Sequence, residues 1–218
     1  MKFYRTLFLT ASLAVLFAGG CETDTTHTFR GDLKKSFNKP TPEQYLAMTG
    51  SPNPDERREG LVGLAGAVKH PRDLGDALGL YAAVAGNEAE EVPVRAVAID
   101  VLGRSQNALY LPVLVACLDD PSPRVRWESA VALERSPGEG AVESLRRHAI
   151  SDAAPDVRAA CAAALRHYPR PDVIATLART LNDGNFTVRH TSHKTLVTLV
   201  GQDLGHEPEP WLNHVAER

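Results

Sequence analysis

Three segments of this 218-residue chain can be laid over one another: Asp120-Pro-Ser-Pro-Arg-Val125-Arg126, Asp152-Ala-Ala-Pro-Asp-Val157-Arg158 and Asp183-Gly-Asn-Phe-Thr-Val188-Arg189. The Val-Arg steps recur after 32 and then 31 residues, each Arg stands six residues after its Asp, and an apolar pattern of helical spacing follows each one. A unit of this length cannot bury its own apolar face. It must stack on its neighbours, so the period predicts a one-dimensional array rather than a single globular core.

The apolar positions predict paired helices over 54–67 and 72–85, 91–103 and 107–118, 123–135 and 139–149, 155–167 and 171–181, and 186–200 and 208–216. Leu102, Leu133, Leu165 and Leu196 align within the first helices. Leu114, Leu145 and Leu177 align within the second, with Leu80 a weaker counterpart. No stretch alternates apolar and polar residues with period two, so no strand is expected. Thr41-Pro42-Glu43-Gln44 has the form of a helix start, with Thr41 as N-cap, and places a leading helix and turn over 41–53. In the first repeat only Pro54-Asp55 and Arg57 or Arg58 keep the pattern. Gly60, Gly63 and Gly66 are expected to weaken its first helix by up to about 1 kcal/mol each relative to Ala. In the second repeat Arg95 follows Val94, but Ala89 stands where the Asp would be.

The N-terminus reads as an export signal over 1–20: Lys2 and Arg5, an apolar run from Leu7 to Phe17, then Ala18-Gly19-Gly20-Cys21. The run is too short to cross a bilayer. Small residues before a cysteine resemble the lipobox of bacterial lipoproteins, although Ala18 occupies the place where that motif usually has Leu. The resemblance implies lipid on Cys21, a flexible tether over 21–40, and a protein anchored on the extracytoplasmic, periplasmic side of a cell membrane. An ordinary secretory signal with an incidental Cys is the alternative. Without Lys2 and Arg5 the chain holds 22 Lys and Arg against 27 Asp and Glu. That acidic balance gives no footing for nucleic-acid binding. Cys117 and Cys161 lie in apolar helical stretches two repeats apart, too far for a disulfide, and are expected as small buried hydrophobes.

The Asp/Arg turns resemble the HEAT repeat family, and more narrowly its phycobilisome-lyase-type HEAT-like repeats. The resemblance covers about residues 54–218. It implies an all-α, right-handed α-solenoid of about five helical hairpins, ending in a C-terminal cap. It also implies that Asp120, Arg126, Asp152, Arg158, Asp183 and Arg189 bond to neighbouring repeats as a ladder. Pro123 and Pro155 match the family's helix-start proline, and Thr187 replaces it in the last repeat. Trp211 is expected to lie over the seam left open by the last repeat, with a ligand platform as the alternative reading.

No nucleophile and base, phosphate loop or metal motif is present in the sequence, so no catalytic residue, cofactor or metal is assigned. His190 and His193 stand i,i+3 without a carboxylate or Cys at ligand spacing, and are read as solvated or cap-packing. On the second helices Tyr110, Glu143, Arg147 and Arg179 fall off the apolar seam, making that row the candidate protein-binding face. The expectation is a non-catalytic scaffold or adaptor that binds another protein at the envelope. The alternative implied by the resemblance is a bilin-lyase-like enzyme or chaperone subunit.

Overall fold

The computed structural model describes residues 39–217. Cys21, the export signal and the tether up to residue 38 lie outside the described residues. Eleven α-helices and no strand occur among the described residues: α1 (Pro42–Met48), α2 (Pro54–Gly66), α3 (Leu78–Gly86), α4 (Val92–Ser105), α5 (Leu111–Ala116), α6 (Pro123–Arg135), α7 (Val142–Ser151), α8 (Pro155–Ala164), α9 (Pro171–Thr180), α10 (Phe186–Val200) and α11 (Pro208–Ala216). After the leading α1 they form five hairpins, and short 3₁₀ turns extend several of them, as at Pro71–Ala77, Ala108–Tyr110 and Glu139–Ala141. The all-α repeat reading holds.

Local chemistry sets the helix starts. Pro occupies the first or second position of eight of the eleven helices, where its missing N–H costs nothing and its fixed φ suits the turn. Thr41 and Gln44 form a reciprocal capping box, with Gln44 N–H donating to Thr41 Oγ1 at 3.3 Å and Thr41 N–H to Gln44 Oε1 at 2.8 Å. Asn185 opens α10 by accepting from the Thr187 N–H at 2.8 Å. Gly201 closes α10 with φ 78°, a left-handed conformation that glycine adopts without strain.

Each first helix packs on the next, α2 on α4, α4 on α6, α6 on α8 and α8 on α10, while the second helices form a parallel layer. The core lies between the layers. Leu102, Leu133, Leu165, Leu196, Leu114, Leu145 and Leu177 are all fully buried in it. Leu80 is only half-buried; Leu78 and Tyr81 fill the core instead, because the 3₁₀ turn before α3 resets the register of that hairpin. The Tyr81 hydroxyl donates to Leu61 O at 2.8 Å, which satisfies its one polar atom inside the core.

Two glycine contacts set the spacing between helices. A Cβ on Gly103 of α4 would stand 2.6 Å from Ala132 of α6, so this Gly/Ala contact is what allows those two helices their close approach. In α2, a Cβ on Gly63 would fall 2.1 Å from the Tyr45 ring, and one on Gly60 2.7 Å from Tyr45 O. These glycines are the seat of α1, whereas Gly66 meets nothing within 4 Å.

Candidate functional site

The turn between hairpins carries the most specific geometry. Arg126 donates from Nη1 to Asp120 O, six residues earlier, at 2.9 Å, and from Nε and Nη2 to both carboxylate oxygens of Asp152 at 2.7 and 2.8 Å. Arg158 repeats this with Asp152 O at 2.7 Å and Asp183 at 2.7 and 2.9 Å. Each arginine therefore holds the main chain of its own turn and the acid of the next. The acid is fixed in its turn, since Asp152 Oδ1 accepts the Ala154 N–H and Asp183 Oδ1 the Asn185 N–H, both at 2.8 Å. Such forked, charge-assisted bonds define orientation as well as energy.

The first two repeats depart from this scheme. Arg57, not Arg58, forms the leading rung, with Ser51 O at 2.8 Å and Glu90 at 2.8 and 2.6 Å. Glu90 thus supplies the acid that the Ala89 position lacks. Arg95 is buried, donates to Ala85 O at 3.1 and 3.0 Å, and pairs with the equally buried Asp120. Burial would raise the Asp152 carboxyl, but Arg126, the Ala154 N–H and His148 outweigh it and hold it down at about 2. Arg158 likewise lowers Asp183, and Arg57 lowers Glu90.

Part of the second-helix row is tied across hairpins by ion pairs. Arg147 donates to both oxygens of Asp119 at 2.7 and 2.9 Å, and His148 stands between Asp119 and Asp152 at 3.0 and 3.1 Å. Arg146 ties α7 to α9 through Thr176 Oγ1 at 2.9 Å and Asp172 at 3.0 Å, while also taking Glu143 at 2.9 Å. Tyr110 corrects the expectation of a free row: its ring is half-buried against the core, in the register that holds buried Ala141 and Val173 in the next hairpins. Arg179 alone of the four is exposed without an ion pair among the described residues. Tyr110, Glu143, Arg147 and Arg179 therefore do not present one open face.

Two surface grooves lie instead along the first helices. A groove of about 530 Å³ runs between α4 and α6, with Val97, Pro93 and Val131 as apolar wall and Arg58 and Arg135 at the rim. A second groove of about 490 Å³ continues toward α8 past Asp156 and Val157. Trp127 and Arg124 border both, the guanidinium carbon of Arg124 lying 4.8 Å from the indole centroid. Glu128 is nearly buried beside them, and burial pushes its carboxyl up against the opposing pull of Arg124. Arg58 has no carboxylate partner among the described residues. Sequence reasoning missed this site, although Arg124, Trp127, Glu128 and Val131 stand at i, i+3, i+4 and i+7 on α6, beside and not on the buried stripe of Val125, Ser129, Ala132 and Leu133.

Residues 80–166 match the family model for HEAT repeats. That segment is a set of HEAT repeats. Among solved structures the chain is similar to the complex of CpcE and CpcF of phycocyanin lyase from Nostoc sp. PCC7120, with TM-score 0.63, 21% identity, and coverage of 76% of this chain and 67% of that one. It is also similar to Escherichia coli YibA, with TM-score 0.59, 18% identity, and coverage of 83% and 77%. Human deoxyhypusine hydroxylase in complex with glycerol matches with TM-score 0.52 and 18% identity, over 74% of this chain and 62% of the hydroxylase. At these identities the likeness is one of fold. No curated protein sequence matches the chain.

The remaining sequence candidates sort by environment. Trp211 is fully buried and donates from Nε1 to Gly205 O at 2.9 Å, which makes it a cap and leaves no exposed ring face for a ligand. His190 stacks on Phe186 at 5.7 Å, whereas His193 meets Asp203 at 2.9 Å and the His206 ring at 4.1 Å. The two histidines face different neighbours, and no group of three or more metal-ligating side chains occurs among the described residues. Cys117 and Cys161 are buried and unpaired, and burial raises the Cys117 thiol to about 11.

Proposed function

We propose that this chain is a non-catalytic, lipid-anchored scaffold that binds another protein at the cell envelope, through the first-helix groove around Trp127. The observation that carries the reading is the contrast between the two helix rows. Arg146 and Arg147 on the second helices are tied to acids of neighbouring hairpins, while the first-helix groove combines a half-buried indole and an apolar wall with Arg58, which has no carboxylate partner among the described residues. Trp and Arg in a concave, partly desolvated setting are the side chains that most often dominate protein interfaces. The matching partner segment carries an apolar side chain beside a carboxylate.

A photo-reactive amino acid at Val97, in living cells, tests the site. A discrete protein adduct is expected from position 97 and none from position 179. An adduct from position 179 alone would move the binding face to the second-helix row, and none from either would end the scaffold reading. Lipid on Cys21 is tested by Cys21→Ser, which should release the protein from membranes or leave its signal uncut; unchanged processing and retention would place the anchor elsewhere. The likeness to the phycocyanin lyase subunits supports a second reading, a bilin-lyase-like enzyme or chaperone subunit. A chromophore copurifying with the protein would favour it.

A further inference from the structure

The rungs at Arg57, Arg126 and Arg158 share one geometry. Nη1 takes a carbonyl oxygen six residues earlier, at 2.8, 2.9 and 2.7 Å, and the Nε and Nη2 edge takes both oxygens of a carboxylate from the following turn. Arg189 makes the first half of this arrangement. Its Nη1 donates to Asp183 O at 2.7 Å, which sets the plane of the guanidinium, but its Nε and Nη2 edge meets no carboxylate among the described residues. Phe186, one turn earlier, is 70% exposed, and the Arg189 guanidinium carbon stands 5.9 Å from its ring centroid. An always-charged fork thus makes the carbonyl half of a closed rung beside an exposed aromatic ring. Ordering that side chain, usually a cost of association, has already been met by the fold.

We propose that Arg189 and Phe186 form an end-on docking site for a partner protein, which closes the last rung with an aspartate from the turn that opens one of its helices. The closed rungs specify the aspartate turn. In the two rungs closed by aspartate, those of Arg126 and Arg158, the acid is held by the N–H two residues on, and the helix that follows packs on the preceding first helix. A partner built this way sets its carboxylate on Nε and Nη2 and lays the start of its helix against Phe186.

Among the described residues, a second copy of the chain offers no free acid at the matching turn. Glu90, Asp120, Asp152 and Asp183 are all engaged internally. At the leading edge the corresponding position is Ser51, whose hydroxyl is committed to Glu56 at 2.5 Å. Head-to-tail stacking would therefore bring a neutral hydroxyl to Arg189. This site stands independently of the Trp127 groove, so neither fails with the other.

The probe is a synthetic peptide copying residues 150–169, the chain's own aspartate turn and following helix. It is titrated into the lipid-free protein lacking residues 1–21, with arginine side chains labelled with nitrogen-15 and the Arg189 Nε–H resonance assigned by its loss in Arg189→Lys. A saturable shift of that resonance is expected. The same peptide with Asp152→Asn should bind at least tenfold more weakly, and Arg189→Lys, which keeps the charge but loses the fork, should bind the two peptides alike. No shift at millimolar peptide, or equal shifts from the Asp and Asn peptides, overturns the proposal. So does sedimentation showing a dimer that Arg189→Lys dissolves, because a second copy would then be the occupant.

Discussion

At α6 and α8 one hairpin is fastened to the next by forked Arg–Asp bonds, with side chains of Arg126 and Asp152 only 14% and 2% exposed. Between α1 and α2 no such rung exists among the described residues, and Tyr45 lies instead in the seat left by Gly60 and Gly63. The rung fixes rotation and register because its donors and acceptors are directional, and the desolvation of its charges is offset only when every bond is made. The glycine seat fixes closeness alone. α1 contributes no buried residue, so it rests on the stack without being part of its core. The comparison separates what holds the array together from what merely covers its edge.

The sharpest way to break this comparison is to strand a buried acid. Arg95→Ala leaves Asp120 at 2% side-chain exposure without its cation, and should cost about 4 kcal/mol of unfolding free energy by chemical denaturation. Arg158→Ala acts on a wetter pair, 16% and 10% exposed, and should cost roughly 3 kcal/mol. Effects of both near zero would remove the rungs from the stabilising contacts.

A second test uses acid. The Asp152 carboxyl is held at about 2 against an ordinary 3.8, so its folded form favours the ionised state. The stability it contributes is therefore complete above about pH 3.8 and lost as pH falls toward 2. Asp152→Asn should flatten the fall in stability across that window. An unchanged slope would mean that the rung does not hold the acid ionised.

At the leading edge the expected effects are smaller and local. Gly63→Ala would drive a methyl into the Tyr45 ring and should release α1, opening residues 49–53 to proteolysis at an overpacking cost of about 1–2 kcal/mol. Gly66→Ala meets open space and should stabilise α2 by up to about 1 kcal/mol. Two glycines one turn apart thus have opposite expected signs. Arg147→Ala, at a surface pair 54% exposed on both sides, should change stability by less than about 1 kcal/mol.

The helices and their starts were legible because they depend on neighbours in sequence: Pro at the first or second position, the Thr41 capping box, and apolar spacing. Which groups bond across the stack was less so. The spacing of Asp and Arg marked both members of a rung, yet each arginine takes its acid 25 to 33 residues downstream, and only the packed stack shows that Glu90 stands in for an aspartate. Gly60 and Gly63 read as weak points because a sequence does not reveal the Tyr45 ring lying against them. Tyr110 read as exposed because the 3₁₀ turn Ala108–Tyr110 rotates it toward the core, outside the α-helical periodicity used to place it. The Trp127 stripe was present in the spacing of α6, but it was masked by the stronger buried stripe beside it.

Because each rung arginine, Arg57, Arg126 and Arg158, reaches forward to an acid that reaches back, the stack has a direction, and it can lose material only in whole units. Removing residues 152–182, one whole unit, would bring Asp183 to Arg126 with its turn intact, and the shortened chain should still melt cooperatively. Removing half a unit instead, residues 137–151, would take out α7 and leave the first helices α6 and α8 with no second helix between them, and should leave no cooperative transition. Such an array can change its length by inheritance of whole modules, since the joints Arg126–Asp152 and Arg158–Asp183 are chemically the same joint.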